Sequence, residues 1–204
     1  MSADAADPPG RDSRARSGRK PRADGQRNRE RLLAAAKAAF AAVGPDVSLD
    51  EIARRAGVGI GTLYRHFPTR DAMVEAVYRR EVGQLAEAAQ TLLQTRRPAQ
   101  ALHDWLTLFV DYMATKRVVG PVLAAAPGGV AALYETSGNM MRAAITLLVT
   151  RGVAAGDIRP DIEPDDVMQA LSGVAYGADK PGLEARALRL IDVFIAGLRP
   201  NAAK

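Results

Sequence analysis

Cysteine is absent from the 204 residues, histidine occurs twice and tryptophan once. Without a thiol there is no disulfide framework, thiol nucleophile, iron–sulfur cluster or thiolate zinc site. His66 and His103 stand far apart in sequence, so no metal, cofactor or catalytic residue is expected. The motifs H-E-x-x-H and G-x-S-x-G and a Walker loop are also missing, and an enzyme on a helical scaffold would lack its working groups. The glycine-rich stretch at 57–61 follows a helical pattern rather than a strand, so it fails as a dinucleotide fingerprint. Long apolar runs are missing too. The longest uncharged stretch, between Arg117 and Glu135, is interrupted by Gly120, Pro121, Pro127, Gly128 and Gly129 and is too broken to cross a bilayer. The N-terminus holds no apolar block of the secretory kind, so the expected location is the cytoplasm, with no membrane partner.

What the chain has is alanine and arginine. The 48% hydrophobic share contains 39 alanines, leaving 58 larger apolar residues. Alanine is the best helix former and a poor strand former. With no hairpin signal, strand alternation or internal repeat, the expected fold is all-α with about nine helices. The net charge of +5 is unevenly spread. Residues 1–80 carry 16 basic and 10 acidic side chains, and residues 81–204 carry 12 and 13. A basic front end on a near-neutral body is the asymmetry of a protein that meets nucleic acid at one end.

Residues 1–26 are rich in Pro, Gly, Ser, Asp and Arg, lack apolar periodicity, and read as a disordered basic tail. A first helix is expected from near Gln26 to Val43, with Leu33, Ala36 and Phe40 on one face. Ser48 and Glu51 form a capping box that opens a second helix, which Gly57 ends. Leu63 and Phe67 are spaced for a third, short helix closed by Pro68, and Thr69 caps a long fourth running from Arg70 to about 95. Another helix starts at Pro98, the 120–129 stretch leaves room for a short one only, and three more are expected at about 130–152, 164–176 and 183–198.

Residues 47–67, VSLDEIARRAGVGIGTLYRHF, have the arithmetic of a helix-turn-helix: a capped two-turn helix, a glycine-containing turn, and a second short helix with a polar face. Thr62, Tyr64, Arg65 and His66 present hydroxyl, phenol, guanidinium and imidazole donors, while Leu63 and Phe67 anchor the helix to a core. Gly59, Ile60 and Gly61 bring little bulk to its N-terminus, where the backbone favours anions. Ser48 and Arg70 flank this face and suit phosphates on either side. An ordinary surface helical hairpin would share the geometry, but not the following resemblance.

The run Leu33, Ala36, Phe40, then DEIARRAGVGIGTLYRHF and RDAM, resembles the TetR/AcrR family of bacterial repressors over about residues 27–75, most specifically at Ala56–Phe67. The resemblance implies a three-helix DNA-binding head at 27–75 and a helical ligand-binding and dimerisation body at 76–200. It implies that Thr62, Tyr64, His66 and Arg70 grip phosphate or line the groove and that Arg65 takes part in base choice, where a guanidinium can hold guanine through two hydrogen bonds. Gly59 departs from the family pattern, which often has a serine cap there, and Ile60 is apolar where many relatives are polar.

The resemblance further implies a homodimer, since each head reads half a site, with Met168, Leu171, Leu190, Ile191, Phe194 and Ile195 of the last two helices as the seam. It also implies a small-molecule pocket among the middle helices, for which His103, Trp105, Phe109, Tyr112, Met113, Tyr134, Met140 and Met141 are the candidates. Aromatic and methionine stripes at helical spacing serve equally as plain core. Ahead of the head, Arg16, Arg19, Lys20, Arg22 and Arg27 suit a minor-groove arm or a solvated leader. The expected function is a homodimeric repressor of double-stranded operator DNA, released by a small-molecule inducer; the alternative is a ligand-independent DNA-binding or interaction protein.

Overall fold

A computed structural model describes residues 20–127, 129–176 and 183–200, and these form eight α-helices. They are α1 (Lys20–Val43), α2 (Leu49–Ala56), α3 (Ile60–His66), α4 (Arg70–Thr95), α5 (Pro98–Ala125), α6 (Ala131–Ala154), α7 (Pro164–Tyr176) and α8 (Leu183–Gly197). No strand occurs among the described residues.

Helices α1 to α3 form the head. Leu32, Leu33, Ala36 and Phe40 of α1 are buried with Ile52 of α2, Leu63 of α3 and Phe67. The Ser48 hydroxyl accepts from the Glu51 N–H at 3.1 Å, and Gly57 ends α2 with φ +59°. A side chain there would also meet the Arg31 guanidinium, which donates to the Gly57 carbonyl at 3.2 Å and ties α1 to the turn. Helix α4 leaves the head from its Thr69 cap and continues into the body, where it packs on α5 and α6; α8 lies against α5, and α7 against α6.

Two helix boundaries differ from the sequence expectation. Helix α1 opens at Lys20 rather than near Gln26. Its first two turns have no apolar face, but Asp24 pairs with Arg27 and Gln26 donates to Glu30, contacts at i+3 and i+4 that support a helix without any core. Pro21 is tolerated because the first turn has no internal partner for its missing N–H. The second difference lowers the count from nine to eight. No separate helix occupies 120–129, because α5 runs through Gly120 and Pro121 to Ala125. An internal proline costs about 3 kcal/mol. Val119 and Leu123, on either side of it, are both buried, and each such side chain contributes roughly 1.5–3 kcal/mol. Continued burial outweighs the lost hydrogen bond.

Candidate functional site

Helix α3 carries the residues that the sequence singles out as a reading face. Leu63 is fully buried and Phe67 nearly so, which fixes the helix and leaves its other side outward. Tyr64 is 47% and Ile60 37% exposed, and Gly61 is exposed with open space around it. Arg65 is exposed and lies along its own helix, its Nε donating to the Gly61 carbonyl at 3.2 Å and Nη2 to the Thr62 hydroxyl at 3.1 Å. Those bonds hold the guanidinium over the first turn of α3. Gly59 is the N-cap and supplies no side-chain acceptor, as its identity requires. His66 is half-buried beside the Phe67 ring, and the Arg29 guanidinium stands 5.5 Å from the centre of that ring.

Two flanking residues have work inside the head. The Ser48 hydroxyl oxygen is the α2 cap. Arg70 is half-buried and donates to the Pro45 carbonyl, so it braces the start of α4 against the turn after α1. Arg54 and Arg55 both bind Glu51, whose pKa these two guanidinium groups hold below the ordinary carboxylate value, the hydrogen bond from Arg55 acting most strongly. Of the arm residues, Arg27 is exposed and paired with Asp24, Lys20 and Arg22 belong to the start of α1, and Arg16 and Arg19 lie outside the described residues.

A small ion-pair network joins the head to α4. Glu81 is buried and accepts from Lys37 of α1 and from Arg80 Nη1 at 3.2 Å, and Arg80 Nε in turn donates to Glu30 of α1 at 3.1 Å. One turn before Glu81, Tyr78 faces a partly open cavity of about 510 Å³ lined by α4, α5, α6 and Met168 of α7. That volume falls within the roughly 300–1,000 Å³ of small-molecule sites. The Tyr78 and Tyr112 hydroxyls lie 3.1 Å apart, and the Tyr134 ring meets Tyr78 edge-on at 5.7 Å. Burial and then the Tyr78 hydroxyl push the Tyr112 pKa far up, and burial raises that of Tyr134, so both remain neutral donors.

Of the sequence candidates for the pocket, the structure gathers Phe109, Tyr112, Met113, Tyr134 and Met141 at this cavity. Three do not line it. Trp105 is sealed in the core, its indole N–H donating to the Leu85 carbonyl at 2.8 Å. Met140 is exposed because it follows the outward face of α6, one position from Met141. His103 faces α8, its Nε2 standing 2.9 Å from Asp192 Oδ1. Burial alone would lower the His103 pKa, but Asp192 and Asp104 outweigh it and raise it above the ordinary value. Sequence reasoning passed over Tyr78, Lys116, Arg117 and Gly138. The signal for Lys116 was there: Phe109, Met113, Lys116 and Gly120 recur at helical spacing, but a search for aromatic and methionine side chains passes over a lysine on the same face.

The seam candidates divide likewise. Leu171 and Ile191 are buried within the protomer, Met168 lines the cavity, and Phe194 and Ile195 are half-buried. Leu190 is 46% exposed, and Val193, which the sequence reading did not select, is 70% exposed.

Comparison with known proteins agrees with this geometry. Residues 32–77 match the family described as bacterial regulatory proteins, tetR family, and residues 97–200 match the C-terminal domain of SbtR-like transcriptional regulators. The crystal structure of the TetR transcriptional regulator SCO0520 from Streptomyces coelicolor superposes with a TM-score of 0.76 at 43% identity, covering 85% of this chain and 99% of that one. The chain belongs to the TetR family.

A TetR transcription regulatory protein from Mycobacterium vanbaalenii is similar at 33% identity and TM-score 0.74, over 88% of this chain and 99% of that one. The HTH-type transcriptional regulator UidR of Escherichia coli K12 is 28% identical over 193 residues, 86% of this chain and 91% of UidR. This TetR-family chain is thus a DNA-binding transcriptional regulator, with α2 and α3 as its helix-turn-helix. Among the described residues no helix is long and apolar enough to cross a membrane.

Proposed function

We propose that the protein is a homodimeric repressor whose two α3 helices enter successive major grooves of a palindromic operator and whose release follows small-molecule binding in the body cavity. The observation that carries this reading is the path of α4. It starts at the head with Arg70 bonded to the Pro45 carbonyl, pairs with α1 through Glu81, and lines the cavity with Tyr78. A ligand that reorients Tyr78 therefore acts on the same helix that positions the head. Its effect is limited by how differently it binds the DNA-competent and DNA-released states.

On the reading face, Tyr64, Thr62 and His66 serve phosphate and groove contacts, Ile60 meets a thymine methyl, and Arg65 reads a base edge. Glycines 59 and 61 admit the DNA backbone closely. The dimer seam centres on exposed Leu190 and Val193, with Phe194 and Ile195 beside them. A twofold pair of such heads spaces its recognition helices about 34–36 Å apart, one DNA turn. Fluorescence anisotropy with DNA from upstream of the protein's own gene tests the reading. Tight, salt-sensitive binding to a palindromic fragment is expected; no binding to any upstream fragment at low salt overturns it. Removing residues 1–24 in the same assay tests the arm, which predicts a shallower slope of log K against log salt.

A further inference from the structure

We infer that the body cavity takes an amphipathic organic carboxylate, its anionic head at Lys116 and its apolar body between Phe109, Met113 and Met141. This rests on the sensor reading above and adds the chemical class of the effector. Three observations converge on it.

The first is charge. Lys116 and Arg117 line the cavity, and no aspartate or glutamate among the described residues does so. The Lys116 ammonium is held 5.0 Å from the centre of the Tyr134 ring, which stations the cation at the wall instead of letting it swing into solvent.

The second is the supply of protons. The two hydroxyls of Tyr78 and Tyr112 bring two protons to a contact that consumes one, so the pair has a donor to spare for an outside acceptor. The Ser137 hydroxyl already donates to the Leu133 carbonyl at 2.7 Å and so presents its lone pairs elsewhere, but it brings no charge. A carboxylate, with two acceptor oxygens and no proton of its own, complements a cation beside phenol donors.

The third is shape. The remaining walls are an aromatic ring, methionines, Pro121 and the bare backbone of Gly120 and Gly138. A Cβ at Gly138 would meet nothing within 4 Å, so the space beside α6 is open to an apolar ligand body. Methionine side chains adapt to irregular ligands, which suits a cavity selecting for head-group charge more than for one rigid outline.

The test is calorimetric binding of matched acid and amide pairs to the full-length protein at fixed ionic strength: 2-naphthoate with 2-naphthamide, 4-phenylbutyrate with its amide, and decanoate with its amide. At least one acid is expected to bind about tenfold more tightly than its amide, one charge-assisted contact being of that order. Lys116→Gln is expected to abolish the difference while preserving amide binding. Arg142→Gln serves as control, because Arg142 pairs with Asp165 and does not line the cavity. Amides that bind as well as acids, a ratio unchanged in Lys116→Gln, or no binding by any member each overturn the carboxylate assignment. The regulator reading is judged separately by the promoter-DNA measurement, which needs no effector.

Discussion

The contact between Lys37 and Glu81 is one of the ion pairs that join the head to α4, and its strength can be worked out. Glu81 is 6% exposed and sits between the Lys37 ammonium and the Arg80 guanidinium, which is also held by Glu30. Replacing Lys37 with methionine keeps the stem and leaves the carboxylate with Arg80 alone. A hydrogen bond to a charged group is worth roughly 1.5–3 kcal/mol when both partners are dry. Lys37 is 37% exposed, so it gives up only part of its hydration, and the coupling expected between the two residues falls to about 1 kcal/mol. For a chain of this size 1 kcal/mol corresponds to roughly 2–4 °C in Tm. The assay is a double-mutant cycle with Lys37→Met and Glu81→Gln, followed by circular dichroism at one fixed protein concentration, since self-association shifts Tm by mass action. Glu81→Gln is expected to lose less than Lys37→Met, because the amide needs no cation and Lys37 and Arg80 regain water. The double variant is expected to be close to Glu81→Gln alone. A coupling inside the roughly 0.3–0.5 kcal/mol seen for independent sites would refute the claim that this pair joins head to body.

Three further outcomes are expected. Arg65→Ala lowers operator affinity by a factor of about ten or more, a good base contact being worth roughly 1–3 kcal/mol, and relaxes preference at one base pair, as competition anisotropy against single-base operator variants would report. Leu190→Glu combined with Val193→Glu yields a folded monomer by sedimentation velocity; a persisting dimer would place the seam elsewhere. His103 has a raised pKa in the folded protein, so its contribution is complete below the unfolded value of about 6.5 and is lost as pH rises through the folded value. The Tm of the native protein should therefore fall more between pH 6 and pH 8 than that of His103→Gln, and identical profiles would show that the Asp192 contact does not titrate.

The helix-turn-helix was legible because its signals are local. A serine cap, a left-handed glycine and two anchor residues four apart, Leu63 and Phe67, determine α2 and α3 without help from the rest of the chain. The course of α5 was not local. Pro121 and Gly120 argue for a break when taken alone, and only the burial of Val119 and Leu123 against other helices overrides them. The misplaced break also took Gly120 and Pro121 off the cavity face, whereas Lys116 and Arg117, which precede it, were passed over because candidates were sought among aromatic and methionine side chains. Trp105 and Phe109 show the same limit from the other side. They share one apolar stripe and their rings stack at 5.8 Å, yet only Phe109 reaches the cavity; Trp105 lies one turn further from it along α5, where the Leu85 carbonyl of α4 accepts from the indole. The beginning of α1 was missed for lack of any apolar face, because its support comes from charged pairs along the helix.

Gly120 and Gly138 have an evolutionary consequence. Glycine inside a helix is less favourable than alanine by roughly 1 kcal/mol, so two helices give up stability at the positions that widen the cavity. Gly138 has open space where a side chain would go, and at Gly120 the nearest atom is the Tyr134 hydroxyl at 3.8 Å. An alanine or valine at either place would subtract volume from the cavity while leaving the core intact, and alanine would strengthen its helix. Under the sensor reading proposed above, effector preference can drift by single substitutions that carry no folding penalty, and the same two positions are natural starting points for retuning the cavity.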